Sequence, residues 1–193
     1  MIFFEYWDKG YENFPYNYKI NWEHNLKIIN KMGLKYIFLD DKNIKKYIPI
    51  HKNFKYLYPA HKADYVRIYF CHLYGGIYID CDCIIINEFH YLLKKLLKYD
   101  VILFADNNYN KNIDYMNGIV IMKKNKRFGD YFIKIMNNKL NTINEKYDYI
   151  KLWTFIGADI IGHIIYNKKI FNNEIFFMKE YFDKKKTQVC FIF

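Results

Sequence analysis

Two adjacent glycines, Gly75-Gly76, separate a stretch of helical periodicity from an apolar extended run that ends in two carboxylates, Ile77-Tyr78-Ile79-Asp80-Cys81-Asp82. No other segment restricts the fold as much. Glycine stops a helix and reverses the chain in little space, so the helix before it and the strand after it must lie close together. Ile77 to Ile86 reads as one extended stretch. Side chains alternate along a strand, which directs Asp80 and Asp82 to one side and Ile77, Ile79 and Cys81 to the other, into the core. Two carboxylates side by side repel unless a cation or hydrogen bonds intervene. A hard divalent cation, Mn²⁺ or Mg²⁺, removes that cost and can bridge to a diphosphate. Ligands of α/β sheets gather at the carboxyl ends of strands, so Asp80 and Asp82 are the candidate metal ligands.

The helix before the glycines reads from Ala60 to Tyr74. Ala63, Val66, Phe70 and Leu73 share one face, and Asp64, Arg67, Cys71 and Tyr74 share another. With the tight turn at Gly75-Gly76, Asp64 and Arg67 are expected to reach the pocket of Asp80 and Asp82. There Arg67 offers planar donors to phosphate or sugar oxygens, and Asp64 accepts from sugar hydroxyls.

The flanking segments supply the rest of an α/β pattern. Ile2 to Trp7 reads as a strand, Ile20 to Lys31 as a helix closed by Gly33, and Lys35 to Leu39 as a second strand. That β-α-β start suits a nucleotide-binding half. Helices follow at Glu88 to Leu97, Gly129 to Asn137 and Ile156 to Tyr166, with strands at Val101 to Ala105, Tyr115 to Lys123 and Ile175 to Met178. The 193 residues suit one domain, spanning residues 1–193, and no repeat or linker divides them. Hydrophobic residues at 52% and charged residues at 26% exclude a disordered chain. The four cysteines read as reduced, and Cys81/Cys83, lacking a second pair, does not read as a zinc site.

Ala63-Asp64-Tyr65-Val66-Arg67, followed by Leu73-Tyr74-Gly75-Gly76-Ile77-Tyr78-Ile79-Asp80-Cys81-Asp82, resembles the core motif of the DXD-containing sugar transferases of glycosyltransferase family 32. It is also similar to the glucosylating domain of the large clostridial toxins. The first glycine follows Tyr74 directly, where many relatives have one or two intervening residues. Further matches extend the resemblance. Glu5-Tyr6-Trp7 resembles the first strand, whose aromatic stacks on the nucleotide base, and Met116-Asn117-Gly118-Ile119-Val120 the strand whose Asn faces the donor sugar. Thr154-Phe155-Ile156-Gly157-Ala158-Asp159 resembles a T-G-P element near the acceptor, with Ala for Pro. Glu180-Tyr181-Phe182 resembles a late Phe-Tyr-Pro strand. Relatives place a His and a Trp after that strand. No such element precedes Phe193, so His163 or Asp159 substitutes, or a partner or a missing segment closes the site.

The resemblance implies a single-domain GT-A fold, a Rossmann-like nucleotide-diphospho-sugar transferase with a mixed, mostly parallel central sheet. It implies a retaining hexosyltransferase that uses a UDP- or GDP-sugar and Mn²⁺ (or Mg²⁺), with a glycan, lipid-linked or protein acceptor. Asp80 and Asp82 would hold the metal; Trp7, Asp64, Arg67, Tyr78, Asp80 and Asn117 the donor; Gly157 and Asp159 the acceptor side. With no convincing covalent nucleophile, the expected route is front-face attack. Two other classes fit less of the chain: a non-catalytic nucleotide-sugar-binding module, and a metal-dependent nuclease or nucleotidyltransferase. A net charge of +10 attracts phosphates and anionic lipid without naming a specific nucleic acid. No signal peptide or membrane span is read, which leads to an expected cytoplasmic place, peripheral at an anionic membrane face.

Overall fold

The computed structural model describes residues 1–107, 113–166, 174–178 and 190–192. The chain opens with β1 (Ile2–Tyr6), α1 (Tyr16–Lys31) and β2 (Lys35–Leu39), the expected β-α-β unit. α1 begins a turn earlier than the apolar periodicity suggests. Pro15 starts it with a preset backbone angle, and Tyr16, 80% exposed, gives no core signal. Two short 3₁₀ turns, Ile44–Lys46 and Phe54–Tyr56, lead into α2 (Pro59–Tyr74), which has Pro59 in its first turn. β3 (Gly76–Ile79) and β4 (Cys83–Ile85) follow, then α3 (His90–Lys95). α3 is shorter than expected because the chain continues as tighter turns, such as Leu97 N–H to the Lys94 carbonyl at 3.1 Å. β5 (Val101–Asn107), β6 (Ile113–Met122), α4 (Arg127–Leu140), α5 (Ala158–Tyr166), β7 (Ile175–Met178) and β8 (Cys190–Ile192) complete the order. The expected late strand at Glu180-Tyr181-Phe182 lies outside the described residues.

Six strands form one sheet in the order β2-β1-β3-β6-β5-β7. β1 is parallel to β2 and β3, and β5 to β7; β6 alone runs antiparallel to both of its neighbours. This is the mixed, mostly parallel sheet expected of a GT-A fold. Alternation along each strand builds two cores. Phe4, Tyr78, Leu103, Val120 and Met122 pack toward α2, α4 and α5. Phe3, Ile77, Ile79, Ile102, Ile119 and Ile121 pack toward α1, α3 and β4. Both faces are covered, so the strands read as continuous apolar runs rather than polar–apolar alternations.

The single extended stretch expected from Ile77 to Ile86 is corrected. β3 ends at Ile79, and Asp80 to Cys83 form a turn closed by the Cys83 N–H donating to the Asp80 carbonyl at 3.0 Å. The chain then leaves the main sheet, and β4 pairs with β8 instead. Asn25 of α1, 1% exposed, pins that exit. Its Nδ2 donates to the Cys83 carbonyl at 3.0 Å and its Oδ1 accepts from the Ile85 N–H at 2.8 Å. One side chain thus serves as a strand neighbour for β4, an interaction that no periodicity reveals.

The glycine pair behaves as its position suggests. Gly75 has φ 69°, where a side chain is strained, and its N–H caps the helix on the Cys71 carbonyl at 2.9 Å. A Cβ on Gly76 would lie 2.9 Å from the Ile2 carbonyl oxygen and 3.3 Å from the Phe4 ring. Gly76→Ala is therefore expected to destabilise the protein by about 1–3 kcal/mol through overpacking against backbone. A lower urea midpoint at unchanged slope would show this; an unchanged midpoint would mean β1 and β3 can separate freely.

Candidate active site

β1 and β3 lie side by side, but the chain reaches β2 on one flank of β1 and β3 on the other. Strand order reverses there, and such a reversal leaves a crevice at the carboxyl ends of the strands. A cavity of about 410 Å³ occupies this place. The end of β1 lines it with Tyr6, Trp7 and Asp8, and the end of β3 with Tyr78, Asp80, Cys81 and Asp82. α2 contributes Ala63 and Arg67, α1 contributes Tyr18, and Tyr58 and Trp153 complete the wall.

Arg67 organises this wall. It is 4% exposed, and its Nη2 lies 3.3 Å from Asp64 Oδ1 and 3.1 Å from Asp80 Oδ1. Its Nε donates to the Ala63 carbonyl at 3.2 Å, and its Nη1 donates to the Asn117 carbonyl. Its guanidinium carbon lies 4.4 Å from the centre of the Tyr78 ring, a cation–π contact. Burial works against the Arg67 charge, but Asp80, Tyr78 and Asp64 outweigh it and hold its pKa above the usual value. Burial pushes the Asp64 carboxyl up to about 7, against the pull of Arg67 and of the Asn117 amide, which donates to Asp64 Oδ1 at 2.6 Å.

Asp80 faces two ways. Its Oδ1 takes the Arg67 contact and a hydrogen bond from the Tyr78 hydroxyl at 2.7 Å. Its Oδ2 would lie 2.8 Å from a Cβ at position 118, so a side chain there would push the carboxylate from this place. Desolvation raises the Asp80 pKa, and Asp82 adds to the rise. Asp82 is half-buried, and among the described residues it accepts only a weak 3.8 Å contact from Cys83 Sγ. Asp8, Asp80 and Asp82 line the cavity against the single guanidinium of Arg67, an acidic surplus that a divalent cation would offset. Among the described residues no group of three or more His, Cys, Asp or Glu side chains converges on a metal position. A cation held by Asp80 and Asp82 would complete its shell with phosphate oxygens and water, as hard cations do at phosphate-transfer sites. Burial pushes the Cys81 thiol well above its ordinary range, and its Sγ contacts the Tyr6 carbonyl at 3.5 Å.

The residues expected from sequence divide into two sets. Trp7, Arg67, Tyr78, Asp80 and Asp82 line the cavity. Asp64, Asn117 and Gly157 cluster behind Arg67 rather than on the cavity wall. A Cβ on Gly157 would lie 2.2 Å from the Asn117 amide nitrogen and 2.7 Å from Asp64 Oδ2. Asp159 and His163 are exposed on α5 and do not line the cavity; Asp159 instead stabilises the Lys139 charge. Trp7 meets Phe14 and Tyr18 edge-on at 5.3 and 5.6 Å, and its indole N–H is buried without an acceptor among the described residues. Sequence reasoning missed Tyr6, Asp8, Tyr18, Tyr58 and Trp153. Adjacency to Trp7 marked Asp8, but nothing in the spacing marked Trp153.

A second buried carboxyl lies beneath the turn. Glu5 is 1% exposed and accepts from the Tyr36 hydroxyl at 2.9 Å, which in turn accepts from Trp22 Nε1 at 2.6 Å. Glu5 also meets Asn25, the residue that pins β4. Burial pushes the Glu5 carboxyl up to about 7.

Residues 5–103 match the family model described as the glycosyltransferase sugar-binding region containing a DXD motif. The chain belongs to this family. It is similar to an uncharacterized glycosyltransferase, L373, of Acanthamoeba polyphaga mimivirus, 29% identical over 144 residues. That match covers 70% of this chain and 54% of the relative, so the chain spans about half of the relative's length. The PaToxG glycosyltransferase structure superposes with a TM-score of 0.55 at 13% identity, over 87% of this chain and 69% of that one, a likeness of fold. A glycosyltransferase involved in the glycosylation of the major capsid of PBCV-1 aligns with a TM-score of 0.46 at 8% identity, over 97% of this chain and 86% of that one.

Two outcomes are expected of this arrangement. Arg67→Met strands Asp64 and Asp80 without their cation and should cost about 3–5 kcal/mol of stability. Urea unfolding checks it, and a loss well below that range would mean the carboxylates reach water. Glu5 has a folded pKa above its unfolded value, so the folded state binds the extra proton, and stability falls as pH rises from 4.5 to about 7. Glu5→Gln should therefore match the wild type near pH 4.5 and exceed it by about 1–3 kcal/mol at pH 8. Parallel unfolding curves at the two pH values make the comparison; equal stability at pH 8 would remove the buried charge from the picture.

Proposed function

We propose that the domain, residues 1–193, is a metal-dependent, retaining glycosyltransferase that moves a hexose from a UDP- or GDP-sugar to a hydroxyl of a glycan or lipid-linked acceptor. The observation that carries this reading is the meeting of Asp80, Asp82 and Arg67 on one cavity wall at the β1/β3 reversal. Family membership supports the same chemistry. Asp80 and Asp82 would hold Mn²⁺ or Mg²⁺. That ion, when bound, neutralises charge on the leaving diphosphate.

The chain's own residues do the remaining work. Trp7, on the cavity wall, offers its ring to the base. Arg67 sits beside the diphosphate and adds a fixed positive charge where negative charge grows as the glycosidic C–O bond breaks. Asp64 and Asn117 keep Arg67 oriented, so their effect on the donor in this arrangement is indirect. The acceptor hydroxyl oxygen bonds to the anomeric carbon, the bond to the diphosphate oxygen breaks, and the hydroxyl proton passes to the departing phosphate. Attack on the face the diphosphate leaves retains configuration. The burial of Asp64 behind Arg67 supports that route over a covalent one, because it removes a candidate carboxylate nucleophile from the cavity.

Nucleotide release from a panel of UDP- and GDP-sugars in Mn²⁺ tests the proposal. Release from one donor, abolished by chelation and lowered about 100-fold or more in Asp82→Ala, is expected. Full metal-dependent turnover in Asp82→Ala would remove the metal assignment. Nucleotide binding without release from any donor would identify a non-catalytic binding module.

A further inference from the structure

The cavity carries two aromatic groups that do not touch among the described residues. Trp7 packs with Phe14 and Tyr18 on the α1 side. Tyr58 and Trp153 form the other group: Tyr58 stacks on Tyr149 with centroids 4.0 Å apart and planes 7° apart, and lies 6.5 Å from Trp153. Tyr58 and Trp153 are 40% and 55% exposed while also lining the cavity. If the donor base takes Trp7, this second group has no assigned partner.

Hydrogen bonds place the backbone that carries these exposed rings. His61 is fully buried on α2, and burial lowers its pKa, keeping the ring neutral. A neutral imidazole has one donor and one acceptor nitrogen. Nε2–H donates to the Trp153 carbonyl at 3.0 Å, which leaves Nδ1 to accept from the Tyr147 hydroxyl at 3.3 Å. That hydroxyl also accepts from the Tyr58 N–H. Asp148 Oδ1 accepts from the Ile150 and Lys151 N–H groups at 3.2 and 3.3 Å and closes the turn leading to Trp153. A buried histidine and an Asp-capped turn thus position two aromatic faces that are not themselves buried. Exposed aromatics with few rotatable bonds offer large contact area at a low entropy cost and mark binding surfaces.

We infer that the Tyr58–Trp153 rim is an acceptor subsite for a saccharide, with these ring faces receiving the C–H face of a pyranose. The inference rests on the glycosyl-transfer reading above. A saccharide suits the rim for two reasons. The rim is continuous with the cavity of Asp80, Asp82 and Arg67, so a sugar stacked there can present a hydroxyl inward. A flat aromatic face also meets the apolar face of a sugar while leaving its hydroxyls to water.

Two measurements test it on the full chain. Binding of short gluco-, galacto- and manno-configured oligosaccharides is followed by calorimetry or saturation-transfer NMR. Vesicles of phosphatidylcholine with phosphatidylglycerol serve as the rival probe. One sugar class should bind, weaken at least about tenfold in Trp153→Ala, and return to within about threefold in Trp153→Phe. The ratio of transfer to donor hydrolysis should fall by a similar factor in Trp153→Ala. The inference is overturned by saccharide binding insensitive to Trp153→Ala, by a raised donor KM with an unchanged transfer-to-hydrolysis ratio, or by vesicle binding with no saccharide binding. A wild type that turns over no donor defeats the transferase reading instead, and direct saccharide binding still decides the subsite.

Discussion

A single buried guanidinium, Arg67, sets the arrangement of the functional half of this fold. Taking a charge out of water costs several kcal/mol unless other groups replace the lost hydration. Here the replacement comes from Asp64 on its own helix, Asp80 at the end of β3, the Asn117 carbonyl in β6 and the face of Tyr78. Those groups belong to three elements brought together only when the sheet forms. The charge therefore ties α2, β3 and β6 to one another, and each must sit in register for the site to exist. Gly118 and Gly157 are part of the same constraint, because side chains there would occupy the positions of the Asp80 and Asp64 carboxylates.

The second constraint is the departure of the chain from the sheet at Asp80. A continuous strand would have carried Asp82 onward between β1 and β6. The turn instead brings Asp80, Cys81 and Asp82 together on the cavity wall, opposite the end of β1 across the point where strand order reverses. Asn25 holds the exit by standing in for a missing strand neighbour, and Glu5, Tyr36 and Trp22 stand behind it. Polar groups in a core are usually a liability. In this protein Asn25 fixes the backbone at the exit of the carboxylate turn, and Arg67 pairs with the Asp80 charge at its start.

On the surface, the chain lacks a helix long and apolar enough to cross a membrane among the described residues. The rim of the cavity is aromatic and its floor is charged. The cavity of about 410 Å³ thus sets aromatic faces beside charged groups, the mixture common to small-molecule sites.

The sequence alone determined the β-α-β opening, the central helix, the glycine break and the pairing of Asp80 with Asp82, because each is a local pattern of apolar spacing, glycine and charge. It also identified Arg67, since an i, i+3 partner of Asp64 must share its face. Three features lay beyond it. The turn at Asp80–Cys83 depends on Asn25, some sixty residues earlier in the chain. Asp64 and Asn117 lie behind Arg67 rather than on the cavity wall because Gly157, from a distant segment, closes over them. The segment carrying Trp153 is tied to the cavity rim by the hydrogen bond from His61 on α2 to the Trp153 carbonyl. Local periodicity decides which elements form and which faces they bury. Which polar side chain meets which backbone across the sheet is a long-range match, and only tertiary packing decides it.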